Sequence, residues 1–92
     1  VTKALAANAP VTIHPTSIAR TLCAPFATER TLLGVRGLLA EVSVVSDAEA
    51  VRGMRILLEQ EKVLVEPAAG CTVAAAARLA PALPPGAVVG LV

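Results

Sequence analysis

Residues 65–77 read VEPAAGCTVAAAA, one carboxylate standing between an apolar run and a stretch of almost uniformly small side chains. Pro67 suits the first position of a helix, where its missing N–H is not needed and its fixed φ is already helical. The sequence therefore predicts a small-residue helix over about 67–79, with Glu66 at its threshold. Upstream, Ser46-Asp47-Ala48-Glu49 has the spacing of a capping box, in which Ser46 accepts from the Glu49 backbone N–H and Glu49 reaches back to the cap. That start opens a helix over about 47–61. Val51, Met54 and Leu58 form an apolar stripe flanked by Ala50 and Leu57, and Arg52, Arg55 and Glu59 point mostly away from it. Arg55 and Glu59 are an i,i+4 ion pair. Between the two helices, KVLV at 62–65 is a short apolar segment.

Working outward, EVSVV at 41–45 alternates and is β-branched, which predicts a strand. LPPG at 83–86 is a turn, and AVVGLV at 87–92 is a continuous apolar run of the kind found in strands covered on both faces. Toward the N-terminus, residues 2–8 read as a short helix ending near Asn8 and closed by Pro10. VTI at 11–13 is extended, and His14-Pro15 is a turn. Thr16 or Ser17 caps a short helix through Leu22. Thr28 caps a helix over about 29–40 whose apolar face is Leu32, Val35, Leu38 and Leu39. Gly34 and Gly37 each weaken that helix by roughly 1 kcal/mol relative to alanine, so it needs support from neighbours.

The 92 residues suit one small domain, 55% of them are hydrophobic and only 16% are charged. A free-standing domain of this size is usually less apolar, so the surplus predicts surface that packs against another segment or a partner subunit. A net charge of +1 offers no field for nucleic acid, and Phe26, the only aromatic side chain, gives no stacking platform. Cys23 and Cys71 make no disulfide framework, which fits a reduced, cytoplasmic setting. No signal pattern opens the chain, and Arg78, Pro81, Pro84 and Pro85 interrupt the alanine-rich stretch as a membrane span. The sequence stops inside an apolar run, whereas chain ends are more often polar, so the chain is expected to be cut.

No complete catalytic set is visible. His14 stands before a proline with no acid or nucleophile beside it in sequence, and Lys3 and Lys62 lie on or beside helices as solvated ammonium groups. No glycine-rich phosphate loop and no cluster of metal ligands occurs. Glu66 leaves two readings open. A glutamate at a helix start is stabilised by the helix dipole, by roughly 0.3–1 kcal/mol. Its small and apolar surroundings, with Gly70 in the first turn behind it, also suit a cofactor-side position, since small side chains let another backbone or a flat ligand approach closely.

Three pieces in this order carry a resemblance: VTKALAANAPVTIHPTSIARTL at 1–22, EVSVVSDAEAVRGMRILLEQEKVLVEPAAGCTVAAA at 41–76, and AVVGLV at 87–92. Together they resemble the C-terminal third of the pyridoxal-phosphate-dependent serine and threonine dehydratases. They are similar to serine dehydratase in particular and to serine racemase more loosely. The most specific element is VSDAEAV followed some fifteen residues later by LVEPAAG. The resemblance implies an α/β fold: part of the three-layer large domain of a fold-type-II (tryptophan synthase β-like) enzyme, mostly helical with short strands. Residues 1–92 would be a C-terminal portion of the cofactor-binding domain.

The implied activity belongs to amino-acid metabolism: an ammonia-lyase performing β-elimination on L-serine or L-threonine, giving a 2-oxo acid and ammonia. The implied cofactor is pyridoxal phosphate, and a homodimer is implied as well. The family's Schiff-base lysine and phosphate loop lie in earlier segments, and the glycine turn that meets the pyridine nitrogen follows the last strand. None of these is among the 92 residues, so the chain alone is expected to be inactive. By the same resemblance Glu66 and Gly70 border the cofactor, and Leu22 and Ala24 offer backbone carbonyls to a monovalent cation. Between these two stands Cys23, where family members commonly carry glycine, and a Cβ there resists a left-handed backbone. The rival expectation is a small non-catalytic binding or dimerisation module, with AVVGLV pairing with its own copy.

Overall fold

The computed structural model describes residues 1–92, which pack as two compact units. One comprises residues 1–16 and 23–43, the other residues 17–22 and 44–92. The first unit holds two short helices, α1 (Thr2–Ala7) and α2 (Glu29–Val35). Asn8 ends α1 in the left-handed conformation (φ 55°), a role asparagine tolerates, and its N–H caps the Ala4 and Leu5 carbonyls. Thr28 caps α2, its hydroxyl accepting from the Thr31 N–H at 3.1 Å. The core of this unit is small: Ala4, Ala27 and Leu32 are buried, with Leu5 and Val11 packed against them.

Helix α2 stops five residues short of the predicted end. Arg36 turns extended and Gly37 takes φ +76°, so the glycine punctuates the helix instead of merely weakening it. Leu38 and Leu39 consequently leave the helical face and are exposed. The expected helix up to Leu22 is a single 3₁₀ turn, Arg20–Leu22.

The second unit is built on α3 (Asp47–Ile56) and α4 (Pro67–Leu79). The capping box forms as predicted: Ser46 Oγ accepts from the Glu49 N–H, and Glu49 accepts from the Ser46 N–H at 2.8 Å. α3 runs into a π-helical turn, Leu57–Glu61, that closes on Lys62 in the left-handed conformation (φ 60°). The Leu57 carbonyl accepts from both the Lys62 and Val63 N–H groups, and the Lys62 ammonium donates to the Glu59 carbonyl at 2.5 Å. The predicted pair of Arg55 with Glu59 is present at 2.6 Å.

The contact face of α3 differs from the predicted stripe. Ala50 and Gly53 are buried and Met54 and Leu57 half-buried, whereas Val51 and Leu58 are about half exposed. The cause is a close helix crossing. A Cβ on Gly53 would run into the Gly70 carbonyl, and a Cβ on Gly70 would run into the Ala50 carbonyl and lie 2.8 Å from Met54 Cγ. At that separation backbones, not large side chains, occupy the contact, so the smallest residues take its centre.

Neither predicted strand forms. Residues 41–45 and 87–92 are extended or irregular and pair with no other segment. A strand exists only through a ladder of hydrogen bonds to a neighbour, and the 92 residues bring no second extended segment alongside either run. Val88 and Val92 are almost wholly exposed. The α/β class implied by the resemblance is therefore present here only in its helical part. The turn expected at 83–86 forms one residue later, at 84–87: the Ala87 N–H donates to the Pro84 carbonyl, with Gly86 at φ +80° as a type II turn requires after Pro85.

Candidate functional site

Glu66 is the N-cap residue of α4 by backbone geometry (φ −79°, ψ 163°), yet its side chain makes no capping bond to the helix. Its Oε1 instead accepts from the hydroxyl of Thr21 at 2.9 Å. The carboxylate is exposed, and its hydrogen bond goes to Thr21 and not to the helix it precedes. Sequence reasoning does not single out Thr21. It is separated from Glu66 by 45 positions, and nothing local in the sequence marks it.

Two groups of contacts hold this arrangement. Asp47 Oδ1, at the first residue of α3, accepts from Ser17 Oγ at 2.6 Å and from the Ile18 N–H at 3.2 Å. Ser17 Oγ also accepts from the Ala19 N–H at 3.1 Å, which fixes the segment leading into the 3₁₀ turn. Near the same end of α3, Arg78 from the last turn of α4 donates to the Val44 carbonyl at 3.0 Å and pairs with Glu49 at 2.7 Å. Hydrogen bonds from the Ser46 backbone and side chain, and then the Arg78 guanidinium, lower the Glu49 carboxyl from 4.5 to about 2.

The other expected site residues fall as follows. Gly70 is buried against α3, and its missing side chain is required by the Ala50 carbonyl and Met54. Leu22 closes the 3₁₀ turn through its N–H to the Ala19 carbonyl and is exposed. Ala24 belongs to the other unit, in an exposed non-helical segment. Asn8 and Lys62 are the non-glycine residues with positive φ, so Cys23 does not adopt the left-handed backbone that a Cβ resists. His14 is exposed, and no group of three or more His, Cys, Asp or Glu is placed to hold a metal ion. Cys23 and Cys71 form no disulfide. Grooves of about 320 and 340 Å³ are lined by other residues, the second by Glu49, Arg52, Ile56, Val73 and Arg78 among others, and neither includes Glu66 or Thr21.

The profile of the family described as "Pyridoxal-phosphate dependent enzyme" matches residues 1–92. The chain belongs to the pyridoxal-phosphate-dependent enzyme family. Among solved structures, it is similar to a threonine deaminase from T.th., with a TM-score of 0.78 and 24% sequence identity over 89% of this chain. The likeness establishes the fold, and the chain spans 28% of the length of that threonine deaminase. No curated protein sequence matches.

The residues present fit part of the family's cofactor. Glu66 is an accessible carboxylate at the mouth of a helix, held from a second element by Thr21, which suits the side of a ring site. The anchoring part does not fit. Lys62 directs its ammonium at the Glu59 carbonyl, and Lys3 lies exposed on α1 in the other unit.

Proposed function

We propose that these residues supply one wall of the cofactor site in a serine/threonine ammonia-lyase, a dehydratase that releases ammonia and a 2-oxo acid from a β-hydroxy amino acid. The observation that carries this reading is the family match over residues 1–92 combined with the likeness in fold to a threonine deaminase. When bound, pyridoxal phosphate supplies the electron sink for loss of the α-proton and the β-hydroxyl. Glu66 borders the ring. Thr21 fixes the orientation of its carboxylate, and the glycine crossing of α3 and α4 sets the position of the helix behind it. The backbone carbonyl of Leu22, next to Thr21, is offered to a monovalent cation. The lysine that holds the cofactor and the donors for its phosphate come from residues outside these 92, so the chain alone neither captures the cofactor nor turns over substrate. No helix is long and apolar enough to cross a membrane, and a cytoplasmic setting accords with the proposed metabolic role.

A non-catalytic dimerisation module is the second reading, favoured by the apolar residues left exposed, Leu64 and Val88 among them. The coding DNA separates the two. The enzyme reading expects an open frame that continues upstream into a Ser-x-Lys-like motif and downstream into a Gly-Gly turn. A start codon directly before Val1 and a stop directly after Val92 would overturn it.

A further inference from the structure

We infer that Thr21 is the positioning residue for Glu66: its hydroxyl selects the rotamer that presents the carboxylate to the ligand side of α4. The inference rests on the reading of Glu66 as a cofactor-side residue. A glutamate side chain turns about three torsions, and an exposed one ordinarily samples many rotamers. Glu66 makes no bond to its own helix, so nothing local to it fixes those torsions. The Thr21 hydroxyl does so from another element, at 2.9 Å. Thr21 is itself well placed for this. Its β-branch restricts χ1, and it sits at the centre of the 3₁₀ turn Arg20–Leu22.

The segment that carries the turn is tied to the first residue of α3, through Ser17 Oγ and the Ile18 N–H to Asp47 Oδ1. α3 in turn is locked to α4 by the Gly53 and Gly70 backbone contact. The path from α4 through α3 to the turn and back to Glu66 is therefore closed, and Thr21 Oγ1 is the link that completes it. Leu22, whose carbonyl is proposed to face a cation, is the next residue, so the same turn orients both groups.

The test uses Thr21→Val, which keeps the shape and removes the hydroxyl, and Thr21→Ser, which keeps the hydroxyl. In the 92-residue chain, side-chain scalar couplings of Glu66 are expected to report one dominant rotamer in wild type and T21S and averaged rotamers in T21V. In the polypeptide encoded by the whole reading frame, T21V is expected to alter the circular dichroism of the bound cofactor. It should also lower kcat roughly tenfold, the low end of what loss of a supporting contact costs at metal sites, with little change in KM. T21S should restore both, and the melting temperature should separate these effects from simple loss of fold. Equal averaging of Glu66 in wild type and T21V overturns the inference, as does an unchanged dichroism in T21V when wild type holds the cofactor. If the whole polypeptide holds no cofactor, the functional reading fails instead, and the couplings still decide whether Thr21 orients the carboxylate.

Discussion

Gly70 shows how a residue can be legible as a point of close approach before its neighbour is known. The sequence marks it as a place where something approaches closely, and the structure identifies that something as the Ala50 carbonyl and Met54 of α3. Gly53, its counterpart, is hidden by a stripe drawn through the larger side chains Val51, Met54 and Leu58. The signal that finds it is the small pair Ala50 and Gly53, three positions apart on one face. Gly53→Ala and Gly70→Ala should each destabilise by about 3 kcal/mol, the upper end for overpacking, because rigid backbone has to move. Gly34→Ala is the control: nothing lies within 4 Å of its would-be Cβ, so the better helix former should stabilise α2 by roughly 0.5–1 kcal/mol. Urea titration of the three variants checks both signs.

Glu49 gives a pH prediction at the same scale. Its folded pKa of about 2 lies below the ordinary 4.5, so the unfolded chain binds more protons between those values. Stability from this group is fully present above about pH 4.5 and is lost as the pH falls through about 2. Glu49→Gln should flatten that part of the stability-against-pH curve. Because the group is solvated, added salt should shrink the share owed to Arg78 and leave the Ser46 share.

Among the elements, those specified by local chemistry are readable. α4 begins at Pro67 and runs to Leu79 as expected, and α3 begins at its capping box. Both starts depend on residues within one turn of each other. The end of α2 is harder to read because a glycine inside a helical pattern weakens the helix, whereas one at φ +76° ends it, and the choice depends on packing beyond Leu32. The strands expected at 41–45 and 87–92 fail for a related reason: alternation and apolarity describe a segment able to pair, but no other segment of these residues lies alongside to pair with. For Glu66 the sequence locates the carboxylate at the helix threshold, while its partner Thr21, 45 positions away, emerges only on folding. Ser46→Ala should cost about 1 kcal/mol, within the range for a lost cap, and lower helicity by circular dichroism. Lys62→Gly should stabilise the end of the π turn by about 1 kcal/mol, since glycine carries no penalty at φ 60°.

Over the whole molecule, the balance of buried and exposed surface is the dominant fact. Fully buried hydrophobic residues are few and mostly alanine, whereas Leu38, Leu64, Val88 and Val92 are at least 80% exposed. Apolar surface of this extent seeks cover. The isolated chain is therefore expected to bind a hydrophobic dye and to associate with rising concentration in sedimentation velocity; a dye-silent monomer across that range would contradict it. The central claim is that these 92 residues form one wall of a cofactor-dependent ammonia-lyase and hold no anchor of their own. The most direct test incubates L-serine or L-threonine with pyridoxal phosphate and either the product of the whole reading frame or the 92-residue chain. The account predicts equal amounts of ammonia and 2-oxo acid from the former and none from the latter. Turnover by the 92 residues alone, or none by the whole product, would contradict it.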